Sequence, residues 1–117
     1  MRTLALAALV PTSRAAHPHV VVDAEVTVLM QDGAVTGVRL RWTYDDLFSL
    51  MLTEDLSLDV DGDLTLTDAE LATLRNHVAD WPADYAGDLE VEADGTSVPL
   101  ALREDEEVAF EAGAVIE

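Results

Sequence analysis

The 117 residues include no cysteine and no lysine. Without a thiol the chain can form no disulfide, no zinc–thiolate centre and no cysteine nucleophile. All of its basic charge rests on six arginines, set against 24 carboxylates, giving a formal net charge of −18. A surface of that sign repels nucleic-acid phosphates and anionic lipid and attracts cations. The same acidity also serves solubility in salt, and one sequence does not separate the two uses. Any long apolar run is missing too. The longest, Leu4 to Val10, is too short to span a bilayer. Half of the residues are nevertheless hydrophobic, which rules out a disordered acidic tail and is enough for one domain with a core.

Against this background one acidic stretch stands out, Asp59-Val60-Asp61-Gly62-Asp63-Leu64-Thr65-Leu66-Thr67-Asp68-Ala69-Glu70. Calcium takes six to eight oxygens, and a short loop supplies them from alternate positions. Read as an EF-hand-type loop, positions one, three and five are Asp59, Asp61 and Asp63. Thr65 offers a backbone carbonyl at position seven, Thr67 acts through water at position nine, and Glu70 closes the shell at position twelve. The apolar position eight is Leu66.

Position six departs from this pattern. A glycine with positive φ is expected there, and the chain has Leu64. Sliding the frame by two puts Gly62 at position six, but then Ser57 replaces the first aspartate and Asp68 replaces the bidentate glutamate. The first register keeps more ligands. The bland alternative is a solvated acidic turn before a helix, since Thr67-x-x-Glu70 is also a capping box. That reading accounts for Thr67 and Glu70 but not for three alternating aspartates.

Residues 1–16 read as a secretory signal: Arg2, a brief apolar run, then Pro11 and small residues. Cleavage after Ala15 leaves Ser13-Arg14-Ala15 before the cut, whereas cleavage after Ala16 puts an arginine at an unfavourable position. An N-terminal extension is the alternative. Removal exposes His17-Pro18-His19, whose imidazoles and free amine form a chelate for nickel, cobalt, copper or zinc. The competing reading is a polar lead-in to a strand.

That leaves residues 17–117 as a single β-rich domain with a helix–loop–helix inserted at about 43–82. His19 to Met30 alternates as a half-buried strand, Asp32-Gly33 marks a hairpin turn, and Val38, Leu40 and Trp42 face inward on the return strand. Matching the two apolar faces requires an odd loop, Asp32-Gly33-Ala34, which sets Glu25 opposite Arg41. Thr43-x-x-Asp46 starts a helix with a stripe of Tyr44, Leu47, Phe48, Met51 and Leu52. Leu71, Leu74, Val78 and Trp81 form the stripe of the second helix, which Pro82 stops, and His77 beside it reads as a structural residue. Strands at Leu89–Ala93 and Ser97–Leu102 flank Asp94-Gly95. Glu104 to Glu107 is a solvated loop, and Val108 to Ile116 reads as one last strand. The predicted class is α+β: a small, sandwich-like and incomplete antiparallel sheet that a longer chain or a homodimer would complete.

His17-Pro18-His19 leading into a strand, the Asp-Gly hairpin, the segment Val38 to Ser49 (VRLRWTYDDLFS) and the acidic loop together resemble the bacterial family called domain of unknown function 1007, from His17 to about Phe110. The resemblance implies a periplasmic transport component, found beside nickel or cobalt transporters, with no established activity. It also implies a longer chain with further strands, and a glycine where Leu64 stands. The expected function is a periplasmic or secreted metal-binding module. It would hold structural calcium at the acidic loop and a transition metal at His17 and His19, with a membrane metal transporter as partner. The alternative is a protein-interaction domain without metal. An enzyme is not expected, because the clustered acids have no nucleophile, basic anion holder or phosphate-binding glycine loop beside them.

Overall fold

The computed structural model describes residues 19–117; the expected signal at 1–16 and His17 lie outside the described residues. The chain runs β1 (Val22–Gln31), β2 (Ala34–Tyr44), α1 (Asp46–Asp55), α2 (Asp68–Val78), β3 (Glu92–Ala93), β4 (Thr96–Ser97), β5 (Ala109–Glu111) and β6 (Ala114–Ile116). Four strands form one antiparallel sheet in the order β1-β2-β6-β5, and β3 and β4 pair separately. The fold is α+β, with small sheets that do not close.

The β1–β2 hairpin sets the register of the main sheet. Val22 faces Tyr44, Ala24 faces Trp42, Val26 faces Leu40, and Glu25 lies opposite Arg41 as the alternation requires. The expected three-residue loop is not how the faces are matched. The turn is the two residues Asp32 and Gly33, both with positive φ (52° and 79°) as a tight hairpin needs. The odd residue sits instead in a bulge: Leu29 pairs with Gly37 but Met30 pairs with Val35, leaving Thr36 extra. Its hydroxyl donates to the Leu29 carbonyl at 3.3 Å. Both devices change the parity of the pairing by one, so alternation alone cannot tell them apart.

The first helix starts later than Thr43-x-x-Asp46 predicts. Thr43 stays in β2, paired with Asp23 on one side and Ile116 on the other. The cap is Asp45. One carboxylate oxygen accepts from the Phe48 N–H at 2.9 Å and the other from the Val21 N–H at 2.7 Å. These N–H donors, Phe48 first, hold its carboxyl below the usual range. One side chain therefore ends the strand, starts the helix and ties both to the beginning of β1.

The buried side of α1 keeps only part of the expected stripe: Tyr44 and Leu52 are buried and Phe48 packs against the core, but the arc is turned toward Ser49 and Thr53. Ser49 is 0% exposed, and Thr53 and Leu52 are also buried, whereas Leu47 is 64%, Leu50 53% and Met51 38% exposed. The Ser49 hydroxyl explains the shift of the buried arc. It accepts from the Val115 N–H at 3.0 Å and donates to the Tyr44 carbonyl at 3.4 Å, so the helix approaches the sheet closely through a small polar group. Around this contact the core gathers Tyr44, Leu52, Leu58, Leu74, Val108 and Val115.

The C-terminal segment is a hairpin, not one strand. Ala112 and Gly113 turn with φ of 49° and 84°, so β5 and β6 pair with each other. β6 then joins β2, and the backbones of Glu117 and Trp42 exchange hydrogen bonds at 2.9 and 3.0 Å. The β3–β4 hairpin forms at Asp94-Gly95 as expected but is only two residues long on each side. Helix α2 ends at Val78, before Trp81. Trp81 packs edge-on against Trp42, with centroids 6.0 Å apart, and near Tyr85 at 5.0 Å. Its indole N–H donates to Glu117 Oε1 at 2.7 Å, while Tyr44 donates to Oε2 at 2.9 Å. Glu117 is raised by burial in spite of these two donors, which pull it down. Glu104 to Glu107 are exposed, and Glu106 pairs with Arg103, whose guanidinium also donates to the Tyr85 carbonyl.

Replacing Ser49 by alanine leaves the buried Val115 N–H without an acceptor, and the expected cost is about 1–3 kcal/mol. Leu47→Ala removes a larger side chain but stays within about 0.5 kcal/mol, because Leu47 points to solvent. Urea unfolding of the two variants checks the order; equal losses would contradict the burial of Ser49 and the exposure of Leu47.

Candidate metal centre

The segment between the helices, Leu56 to Thr67, is a tight loop built from left-handed residues. Ser57, Asp59, Gly62 and Leu64 have φ of 53°, 48°, 69° and 61°. Leu64 thus adopts the conformation that position six requires, although it is not glycine. Gly62 is also left-handed, so φ does not choose between the two registers. Both oxygens of Asp59 accept from the Leu64 N–H at 3.2 Å. Asp61 accepts from the Asp63 N–H at 3.4 Å and Asp63 from the Thr65 N–H at 2.8 Å. Each aspartate is thereby folded back over the loop.

The result is a cluster: carboxylate oxygens of Asp59, Asp61 and Asp63 lie within 4.8 Å of one another. Glu70 is outside that set. Its Oε2 accepts from the Thr67 N–H at 2.8 Å and hydroxyl at 3.0 Å, and its Oε1 from the Asp59 N–H at 3.1 Å. Thr67 caps α2 in return, accepting from the Glu70 N–H at 3.3 Å. The capping box therefore forms, and the same glutamate ties the start of the loop to its end. Asp61, Asp63, Thr65, Thr67 and Glu70 line one open cavity of about 480 Å³. Leu66 also borders this cavity and, half-buried, packs against the core.

The electrostatics divide the same residues. Asp59 is raised, first by partial withdrawal from water and then by the carboxylates of Asp63 and Asp61, against the pull of the Leu64 N–H. Glu70 is lowered, chiefly by the Thr67 N–H and hydroxyl. Neither of the ion pairs found among the described residues, Arg41–Glu111 and Arg103–Glu106, touches the loop. Three converging carboxylates without a cationic neighbour are what a hard divalent cation neutralises.

The histidines give less. His19 is exposed ahead of β1, and His17 lies outside the described residues, so their chelate is not placed. His77 is exposed in the last turn of α2 rather than packed. The double role of Asp45 was not legible beforehand, because Asp45-Asp46 offers two adjacent caps and nothing local chooses between them.

An α+β protein with an acidic helix–loop–helix inserted between its sheet strands is the class these observations define. The profile of the family described as protein of unknown function (DUF1007) matches residues 2–116, and the chain belongs to that family. The match is wider at both ends than the stretch from which the resemblance was read. No curated protein and no solved structure matches the chain.

Because Leu64 is already left-handed in the folded loop, its strain of about 1 kcal/mol falls on folding. Leu64→Gly is expected to leave stability unchanged or to raise it by no more than about 1 kcal/mol, the greater backbone freedom of glycine offsetting part of the gain. Thermal unfolding decides this. A clear loss would mean that the leucine side chain, which approaches Gly113, contributes more than its backbone costs.

Proposed function

We propose that the protein is a binding module rather than an enzyme, and that its acidic loop holds a structural calcium ion. The observation that carries this reading is the hydrogen bond from the Leu64 N–H to Asp59 together with the convergence of Asp59, Asp61 and Asp63 within 4.8 Å. In this reading Asp59, Asp61 and Asp63 supply side-chain oxygens, Thr65 its carbonyl and Thr67 a water-mediated contact. Glu70 turns from the loop backbone to close the shell. An ion there would join the end of α1 to the start of α2 and relieve the repulsion among the three aspartates. Extracellular loops of this type bind at roughly 10⁻⁴–10⁻³ M, an affinity suited to stabilising rather than signalling.

The proposed location is periplasmic or secreted, on the strength of the signal-like residues 1–16. A transition metal such as nickel or cobalt at His17 and His19, and a membrane metal transporter as partner, complete the proposal; both rest on the family resemblance and on the chelating pattern of the sequence.

The deciding experiment is a thermal melt in chelator, then in millimolar calcium, then in magnesium. At about 10 mM calcium, mass action on such affinities is worth about 1.4–2.7 kcal/mol, a rise of several degrees. Asp59→Ala combined with Glu70→Ala should abolish the rise. Indifference of the intact protein to calcium would refute the reading.

A further inference from the structure

We propose that the outer face of α1 is a docking surface for a basic amphipathic helix of a partner protein. The helix turns Ser49, Leu52 and Thr53 inward with Phe48 at the edge of the core, and on the opposite side it shows Leu47, Leu50 and Met51 to solvent at 64%, 53% and 38% exposure. With 3.6 residues per turn, positions 47, 50 and 51 form one continuous stripe diametrically opposed to 49, 52 and 53. The inward face is accounted for by the Ser49 hydroxyl bridge to Val115 and Tyr44. Nothing in the packing of the described residues requires three large apolar side chains on the outside. A stripe spaced i, i+3, i+4 is what a second helix reads.

Charge identifies the occupant. Exposed Asp46 and Asp55 flank the stripe, Glu54 continues it at the C-terminal end, and α1 carries no basic residue. A second copy of this chain would set acids against acids in either orientation of the two helices. An anionic bilayer is repelled by the same rim and by the net charge of −18. A helix with an apolar stripe edged by lysine or arginine satisfies both features at once. This surface is separate from the acidic loop and does not depend on an ion there.

The test uses the full chain in chelator and a fluorescent peptide of leucine and lysine patterned as an amphipathic helix. Fluorescence anisotropy should show binding, and a scrambled peptide of the same composition should bind far more weakly. Replacing Leu47, Leu50 and Met51 together by glutamine keeps the net charge and should weaken binding by at least about tenfold. Val60→Gln, at an apolar loop residue that is 84% exposed, should bind as the parent does. A second variant, Asp46→Asn with Glu54→Gln and Asp55→Asn, leaves the stripe intact and should weaken binding while flattening its salt dependence, which keeps the test decisive if the glutamine variant folds poorly. Equal binding of the scrambled peptide would reduce the effect to diffuse charge and overturn the proposal. So would unchanged binding by the glutamine variant. Sedimentation showing a dimer of the parent that the glutamine substitutions dissolve would assign the face to a second copy, and would overturn it too.

Discussion

A single hydroxyl joins the helical and the β halves of this molecule. The Ser49 hydroxyl accepts a hydrogen bond from the Val115 N–H and donates one to the Tyr44 carbonyl, so one residue of α1 touches both β2 and the last strand. The contact is fully buried. A larger side chain there would hold the helix away from the sheet, and an apolar one would orphan the Val115 amide. The rest of the architecture follows from this close approach. Leu52 and Tyr44 enter the core, Val115 sits beneath the helix, and α1 is rotated so that Leu47, Leu50 and Met51 face outward.

A second constraint acts at the strand-to-helix junction. Asp45 ends β2 and caps α1 while its other oxygen binds Val21, and its N–H returns to the Val21 carbonyl at 2.9 Å. With both ends of α1 defined, the acidic loop begins at a set point. The turn after Leu58 is then closed on itself by Asp59 at Leu64 and by Glu70 at Asp59 and Thr67. The loop is thus organised by its own carboxylates. At Asp59 two demands conflict: the Leu64 N–H favours the ionised carboxylate, while partial withdrawal from water and the neighbouring carboxylates of Asp63 and Asp61 raise it.

Much of the architecture was legible from residue order. Alternation in β1 and β2 placed Glu25 opposite Arg41, and Asp-Gly pairs marked two of the hairpins. The third turn, Ala112-Gly113, was missed because alanine is a poor advertisement for positive φ, and the run from Val108 to Ile116 alternates through it. The bulge at Thr36 was read as a longer loop because both restore the same parity. The α1 stripe held for Tyr44, Phe48 and Leu52 but not for Leu47 and Met51: all five fall within one arc of about 140°, and only one edge of that arc is turned to the core. Hydropathy then selects the greasiest arc, whereas packing selected the arc containing the smallest side chain.

For the site, the identity of the three clustered aspartates and the tension at position six were in the sequence by itself, because ligand spacing along a short loop is local chemistry. So were the acidic charge, the α+β class and the membership suggested by the segment from His17 onward. Tertiary structure alone decided that Ser49 and Thr53 join Leu52 on the buried side of α1 and that Leu47, Leu50 and Met51 are left outside. That outcome depends on how closely a helix and a sheet approach each other through Ser49. The approach is set by contacts between residues far apart in the chain, and no local pattern encodes it.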